Sequence, residues 1–101
     1  RDAVADADAA LFAARGELAE AQAQLSEMHE DLAALEAAGR TEEATALKLR
    51  IAEMEGRVQA LEARVAECEE ALEAARAAAK EAAAAHAKAI ARVEEARTAS
   101  L

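Results

Sequence analysis

The sequence predicts an all-α coiled coil and favours an antiparallel helical hairpin whose second helix is the longer one. Apolar residues recur at seven-residue spacing in two separate runs, which is typical of coiled coils. The 101 residues include 35 alanines and no proline, a composition typical of long helices. One short break containing glycine separates the two runs, so we expect two helices rather than one.

The first run predicts a helix over residues 2–38. Its larger side chains recur at position a of the heptad, and smaller ones occupy position d three residues later. The a residues are Val4, Leu11, Leu18, Leu25 and Leu32, and the d residues are Ala7, Ala14, Ala21, Met28 and Leu35. Five consecutive heptads in one frame make this helix a strong prediction.

The break predicts a turn formed by Gly39, Arg40 and Thr41. Glycine just past a helix end adopts the left-handed backbone that closes the last carbonyl groups. Thr41 is expected to act as an N-cap, because a hydroxyl followed by Glu42 and Glu43 suits the positive end of a helix. Continuing the first frame would place Gly39 and Glu42 in the apolar stripe, so the frames do not join.

The second run predicts a helix over residues 42–99. Its a residues are Ala44, Ile51, Val58, Val65, Leu72, Ala79, His86 and Val93, and its d residues are Leu47, Met54, Leu61, Cys68, Ala75, Ala82, Ala89 and Ala96. The stripe becomes rich in alanine after residue 75. Alanine favours the helix but buries little area, so we expect residues 76–101 to need a partner helix.

A fold-back at Gly39 and Arg40 aligns the two stripes. Position a then faces position d of the other helix, and the numbers of facing residues add up to 79 throughout, with small residues opposite larger ones in four layers. The predicted core consists of Leu11, Leu18, Leu25, Met28, Leu32, Leu35, Leu47, Ile51, Met54, Val58, Leu61, Val65, Cys68 and Leu72. Expected attractive charge pairs are Asp31–Arg50, Glu17–Arg64 and Arg15–Glu62, and Asp8–Glu69 is an expected repulsive pair.

The alternative is a long parallel two-stranded coiled coil. The second helix supports it, since β-branched Ile51, Val58 and Val65 at a, with leucine at d, are typical of parallel dimers. The first helix does not, because its equivalent flanking pairs include the repulsive Asp31–Glu36′. The sequence leaves both assemblies open.

No residues suggest catalysis, a cofactor or a metal. His29 and His86 are the only histidines; His29 is expected near Lys48, and His86 lies on the stripe among alanines, where a polar residue sets register. Cys68 reads as a small core residue, and a single cysteine suits a reducing compartment, so we expect a cytoplasmic protein. The net charge of −9 argues against nucleic acid as a partner, and only residues 76–101 are basic enough to meet a membrane surface.

The function expected is structural: a coiled-coil spacer, scaffold or oligomerisation element within a larger assembly, without enzymatic activity. A parallel homodimeric rod of a cytoskeleton or organelle scaffold is the alternative, and a membrane-surface or ATPase-arm hairpin is less favoured. We expect residues 1–101 to be one coiled-coil segment of a longer protein. Its partners are expected to be helices, either a second copy in a homo-oligomer or a helix of the parent chain along residues 76–101.

Overall fold

Two long helices packed side by side make up the computed structural model, which describes residues 2–100. Helix α1 spans Ala3–Ala37 and helix α2 spans Thr41–Ala99, with 35 and 59 residues. They run antiparallel as an extended hairpin with principal extents of 92 × 17 × 14 Å. The all-α hairpin with a longer second helix is therefore confirmed. Arg1 and Leu101, the two ends of the predicted segment, lie outside the described residues.

Helix α1 begins with a side-chain cap. Asp2 has an extended backbone, and its carboxylate Oδ1 accepts hydrogen bonds from the N–H groups of Val4 (2.9 Å) and Ala5 (3.3 Å). Two of the four N–H groups that a helix start leaves without partners are thus satisfied, and the negative charge lies at the positive end of the helix dipole. This cap fixes the start of α1 at Ala3.

Helix α1 ends in a glycine turn that closes its last carbonyl groups. Gly39 has φ +71°, the left-handed backbone that glycine adopts without steric cost. The Gly39 N–H donates to the Glu36 carbonyl (3.1 Å), and the Arg40 N–H donates to the Leu35 carbonyl (2.9 Å). These two bonds form a Schellman motif. The chain therefore reverses within residues 38–40.

The predicted N-cap role of Thr41 is wrong. Thr41 is the first residue of α2, and Arg40 occupies the N-cap position without a side-chain capping bond. The reason is that the Schellman motif completes the reversal by Arg40, so the backbone is already helical at Thr41. An ion pair between Arg40 Nε and Glu43 Oε1 (3.0 Å) forms across this first turn instead.

Every shielded residue that the structure describes lies at an a or d position of the heptad frames. Among residues 2–100, twenty are buried or half-buried, and these are the ten a and d positions of α1 with the first ten of α2, from Ala44 to Ala75. We call this set of twenty the seam, and the paired part of the hairpin, residues 3–75, the stem. All other described residues are exposed, including residues 76–100 of α2 beyond the start of α1.

Replacing Gly39 with alanine tests the turn. A Cβ at this position would meet no atom within 4 Å, so the whole cost comes from the left-handed backbone. We expect Gly39→Ala to lower the free energy of unfolding by about 1–2 kcal/mol, measured by urea denaturation followed by circular dichroism.

Gly56→Ala is the matched control. Gly56 is helical and exposed and also has open space around its Cβ position, so alanine should raise the free energy of unfolding by about 1 kcal/mol. Equal effects of the two substitutions would contradict the assigned turn.

Candidate functional site

The seam is the first surface with a functional consequence, because it decides the shape of the chain. The structure places all fourteen residues of the sequence-based core on it. Leu11, Leu47, Ile51, Leu61 and Leu72 are buried, and Leu18, Leu25, Met28, Leu32, Leu35, Met54, Val58, Val65 and Cys68 are half-buried. Half-burial is what a two-helix seam provides, since each side chain has a neighbour on only one side.

The most deeply buried residues are alanines that the predicted core does not include. Ala14, Ala21 and Ala44 are 0%, 2% and 4% exposed. Their small side chains let the two backbones approach closely, and this closeness is what buries them. Their positions in the heptads contained the signal, but an apolar pattern gives little weight to a side chain as small as alanine.

Two ion pairs between the helices show which register they adopt. Arg15 Nη2 lies 3.1 Å from Glu69 Oε2, and Lys48 Nζ lies 3.6 Å from Glu36 Oε2. The residue numbers add up to 84 in both pairs, so the helices keep one register along the stem. The ion-paired residues flank the seam and do not lie directly opposite each other. For seam residues that do face each other, the reversal at residues 38–40 and the constant register make the residue numbers add up to 79.

The pairing expected for Arg15 is wrong by one heptad, since its partner is Glu69 and not Glu62. Side chains on a helix lean toward its N-terminus. On α1 that direction is toward the open end of the hairpin, and on α2 it is toward the turn. Arg15 and Glu69 therefore lean toward each other, whereas Arg15 and Glu62 lean apart.

The ion pairs also give two residues partners that the flanking expectations did not include. Lys48, expected near His29, forms an ion pair with Glu36, and Glu69, expected to face Asp8, forms one with Arg15. Neither of the two remaining pairs forms an ion pair within 4.0 Å; these are Asp31–Arg50 and Glu17–Arg64. Since the observed pairs are more than half exposed, each contributes only a few tenths of a kcal/mol.

The turn end of the stem carries an open groove. It is lined by Asp31, Ala34, Leu35, Ala38, Arg40, Glu43, Ala46, Leu47 and Arg50. Its charged side chains face solvent, and the Arg40–Glu43 pair lies at its edge. Within residues 2–100, no three histidine, cysteine or acidic side chains come together in a way that could hold a metal ion.

The second surface of interest is the unpaired part of α2, residues 76–99, which we call the tail. Its a and d positions continue the seam but have no helix opposite them, and all are exposed. Ile90 and Val93 are 46% and 58% exposed, which makes them two of the four large apolar side chains that remain exposed within residues 2–100. With His86 and Ala89 they form a shallow apolar surface, bordered by Glu94 and Arg97.

No family model, curated protein or solved structure matches the chain. A proposal for its function therefore rests on the geometry of the structure. In the described part of the chain, neither helix has a stretch that is both long and apolar enough to span a bilayer.

Enlarging a buried alanine tests how closely the helices approach. Ala14→Leu should lower the free energy of unfolding by about 1–3 kcal/mol, because the added carbons have no space in the closed seam. Ala13→Leu, at an exposed position one residue away, should be nearly neutral. Chemical denaturation measures both, and a neutral Ala14→Leu would mean that the helices lie further apart than described.

A new cysteine opposite Cys68 tests the register. The thiol of Cys68 is free and half-buried, and Leu11 is the residue that faces it in the register above. We expect Leu11→Cys to form an intrachain disulfide under mild oxidation, read by mass spectrometry and non-reducing gels. Phe12→Cys should not, since Phe12 is 83% exposed and lies outside the seam. A Cys68–Cys68′ dimer in either variant would indicate parallel pairing instead.

Proposed function

We propose that this chain is a structural coiled-coil arm that works as a spacer and oligomerisation element within a larger assembly. The observation that supports this role most strongly is the seam. All of its residues between Val4 and Ala75 are covered from within the chain, so the stem needs no partner to hold its shape. The whole chain, stem and tail together, is a thin, extended body of 92 × 17 × 14 Å, a shape suited to setting a distance.

The surface of the stem also suits a spacer. Its exposed faces are charged and dotted with alanine, and residues 1–75 carry 7 basic and 18 acidic side chains, a formal net charge of −11. Like charges along a rod disfavour its collapse onto itself and its non-specific association. The proposed role is non-catalytic, and the free thiol of Cys68 fits a reducing compartment such as the cytoplasm.

The hairpin argues against the parallel rod as the working form. In a parallel dimer Ile51, Val58 and Val65 would pack on their counterparts in a second chain. Here the same side chains are covered by α1, so a rod could form only by opening the hairpin and re-pairing the seam positions of both helices with a second chain. Oligomerisation through the tail requires no such opening, and we assign the partner-binding part of the role to residues 76–99.

A spacer must be stiff, which spin-label distances can test. With labels at Ala9 and Ala33, both exposed on α1, and Cys68→Ala to remove the native thiol, we expect a narrow distribution near 36 Å, from about 1.5 Å per residue. The same pair in denaturant gives the broad control. A comparably broad distribution in the native chain would contradict a spacer.

A second label pair tests that this stiffness comes from the hairpin. Labels at Gln22 and Gln59, on opposite helices, should report a short intrachain distance, whereas one unbroken helix would separate them by about 55 Å. Dilution with unlabelled chain separates intrachain from interchain distances.

A further inference from the structure

We propose that the tail is a docking surface for one acidic amphipathic helix, which runs antiparallel to it in line with α1 and presents leucine or valine to the tail's alanines. The proposal rests on the spacer function above and names the chemistry of the partner. Three observations support it: the seam continues into the tail, every alanine of the stem's seam meets a larger residue, and the charged residues at the e and g positions of the tail are all arginine.

The tail continues an interface that already exists. Its stripe of Ala79, Ala82, His86, Ala89, Val93 and Ala96 keeps the heptad frame of the stem without a shift. The helix also continues unbroken to Ala99. A helix placed beyond the N-terminus of α1, in the same direction, would therefore meet the tail as α1 meets the stem.

The stem shows what an alanine of this seam packs against. In the register that the ion pairs show, every seam alanine faces a larger aliphatic side chain. The five layers are Ala7–Leu72, Ala14–Val65, Ala21–Val58, Ala44–Leu35 and Ala75–Val4. This alternation fills the space between closely spaced helices. The tail has alanine at four of six stripe positions, so the matching partner carries leucine or valine there.

The flanks of the tail determine the charge of the partner. In coiled coils, positions e and g border the stripe and pair with the charges of the facing helix. In the tail, Arg76 and Arg97 occupy e positions and Arg92 occupies a g position, while the three glutamates lie outside these positions. Arginine is therefore the only charged residue at the e and g positions of the tail, although Glu94, at a b position, also borders the apolar surface. A partner with glutamate or aspartate at its own e and g positions complements these arginines.

A second copy of the tail satisfies neither requirement. All three d positions of the tail are alanine, so a parallel pair would have only alanine–alanine layers at d. In an antiparallel pair every a residue meets an alanine, and Val93 is the only aliphatic side chain larger than alanine that each copy contributes at its a and d positions. Such a seam buries little apolar area. It would also bring two positively charged segments together, since residues 76–101 carry 5 basic and 3 acidic side chains, net +2.

The test is a titration of the full chain with a synthetic helix of this chemistry. The probe is a fluorescein-labelled 21-residue peptide with leucine at a and d and glutamate at e and g. Two control peptides have lysine at e and g, or alanine at a and d. Fluorescence anisotropy should show saturable binding of the acidic leucine peptide, with at least about tenfold weaker binding of both controls and a loss of affinity in high salt.

Variants of the tail locate the binding. Ala89→Glu puts a carboxylate in the stripe and should weaken binding about tenfold or more, because a buried charge without a partner is unfavourable. Ala84→Glu adds the same charge on the opposite, exposed face and is the matched control. A nitroxide at the C-terminus of the peptide should broaden the amide signals of residues 76–80 and not those of residues 95–99, as antiparallel docking requires.

Several outcomes would overturn the proposal: no saturable binding, equal binding of the lysine peptide, or equal effects of Ala89→Glu and Ala84→Glu. Dimerisation of the chain alone, seen by sedimentation and abolished by Ala89→Glu, would identify a second copy as the occupant and refute the acidic helix. The Ala9–Ala33 label distance distinguishes these failures from failure of the spacer function. A narrow distribution without peptide binding removes only the docking proposal, and a broad distribution removes the spacer.

Discussion

Burial of one narrow apolar stripe is the constraint on which the fold depends. The chain has one phenylalanine and no tryptophan or tyrosine, and its phenylalanine is exposed, so no bulky cluster anchors the helices. Stabilisation is instead spread over twenty seam positions, most of them only half-buried. Small contributions add up only if every layer stays in register. The glycine turn sets that register at one end, and the alternation of alanine with leucine or valine maintains it along the stem.

The heptad pattern was enough to predict the fold class, because period and phase are properties of the sequence itself. The break in the heptad frame between Leu35 and Leu47 predicted where the chain reverses. The constant sum of the numbers of facing residues predicted how the two helices align. Local details followed from geometry that the pattern does not contain. Thr41 has the chemistry of an N-cap, but the Schellman motif had already turned the chain by Arg40. The partner of Arg15 depends on the direction in which helical side chains lean, which residue spacing alone does not reveal.

The sequence predicted the extent of the seam and the tail better than it predicted how closely the helices pack. The end of the paired region near residue 75 follows from the unequal lengths of the two runs. The importance of the alanines was missed, because Ala14, Ala21 and Ala44 look too small to form a core, and yet they are its most buried members. In this seam, alanine indicates how closely two helices approach each other. Because the tail carries the same stripe of alanines, the same close approach applies to a helix that packs on it. The composition of the tail is therefore informative about what can pack there.

The step at residue 75 has a mechanical consequence. Bending stiffness rises steeply with the thickness of a beam, and two bonded helices resist bending far more than one does. The chain is therefore a stepped beam, with a stiff double section from the turn to the start of α1 and a thinner single section beyond it. Lateral force on either end concentrates its bending in the thin section, close to where Asp2 caps α1. A helix laid along that section would extend the thick part of the beam and move the flexible point away from the stem.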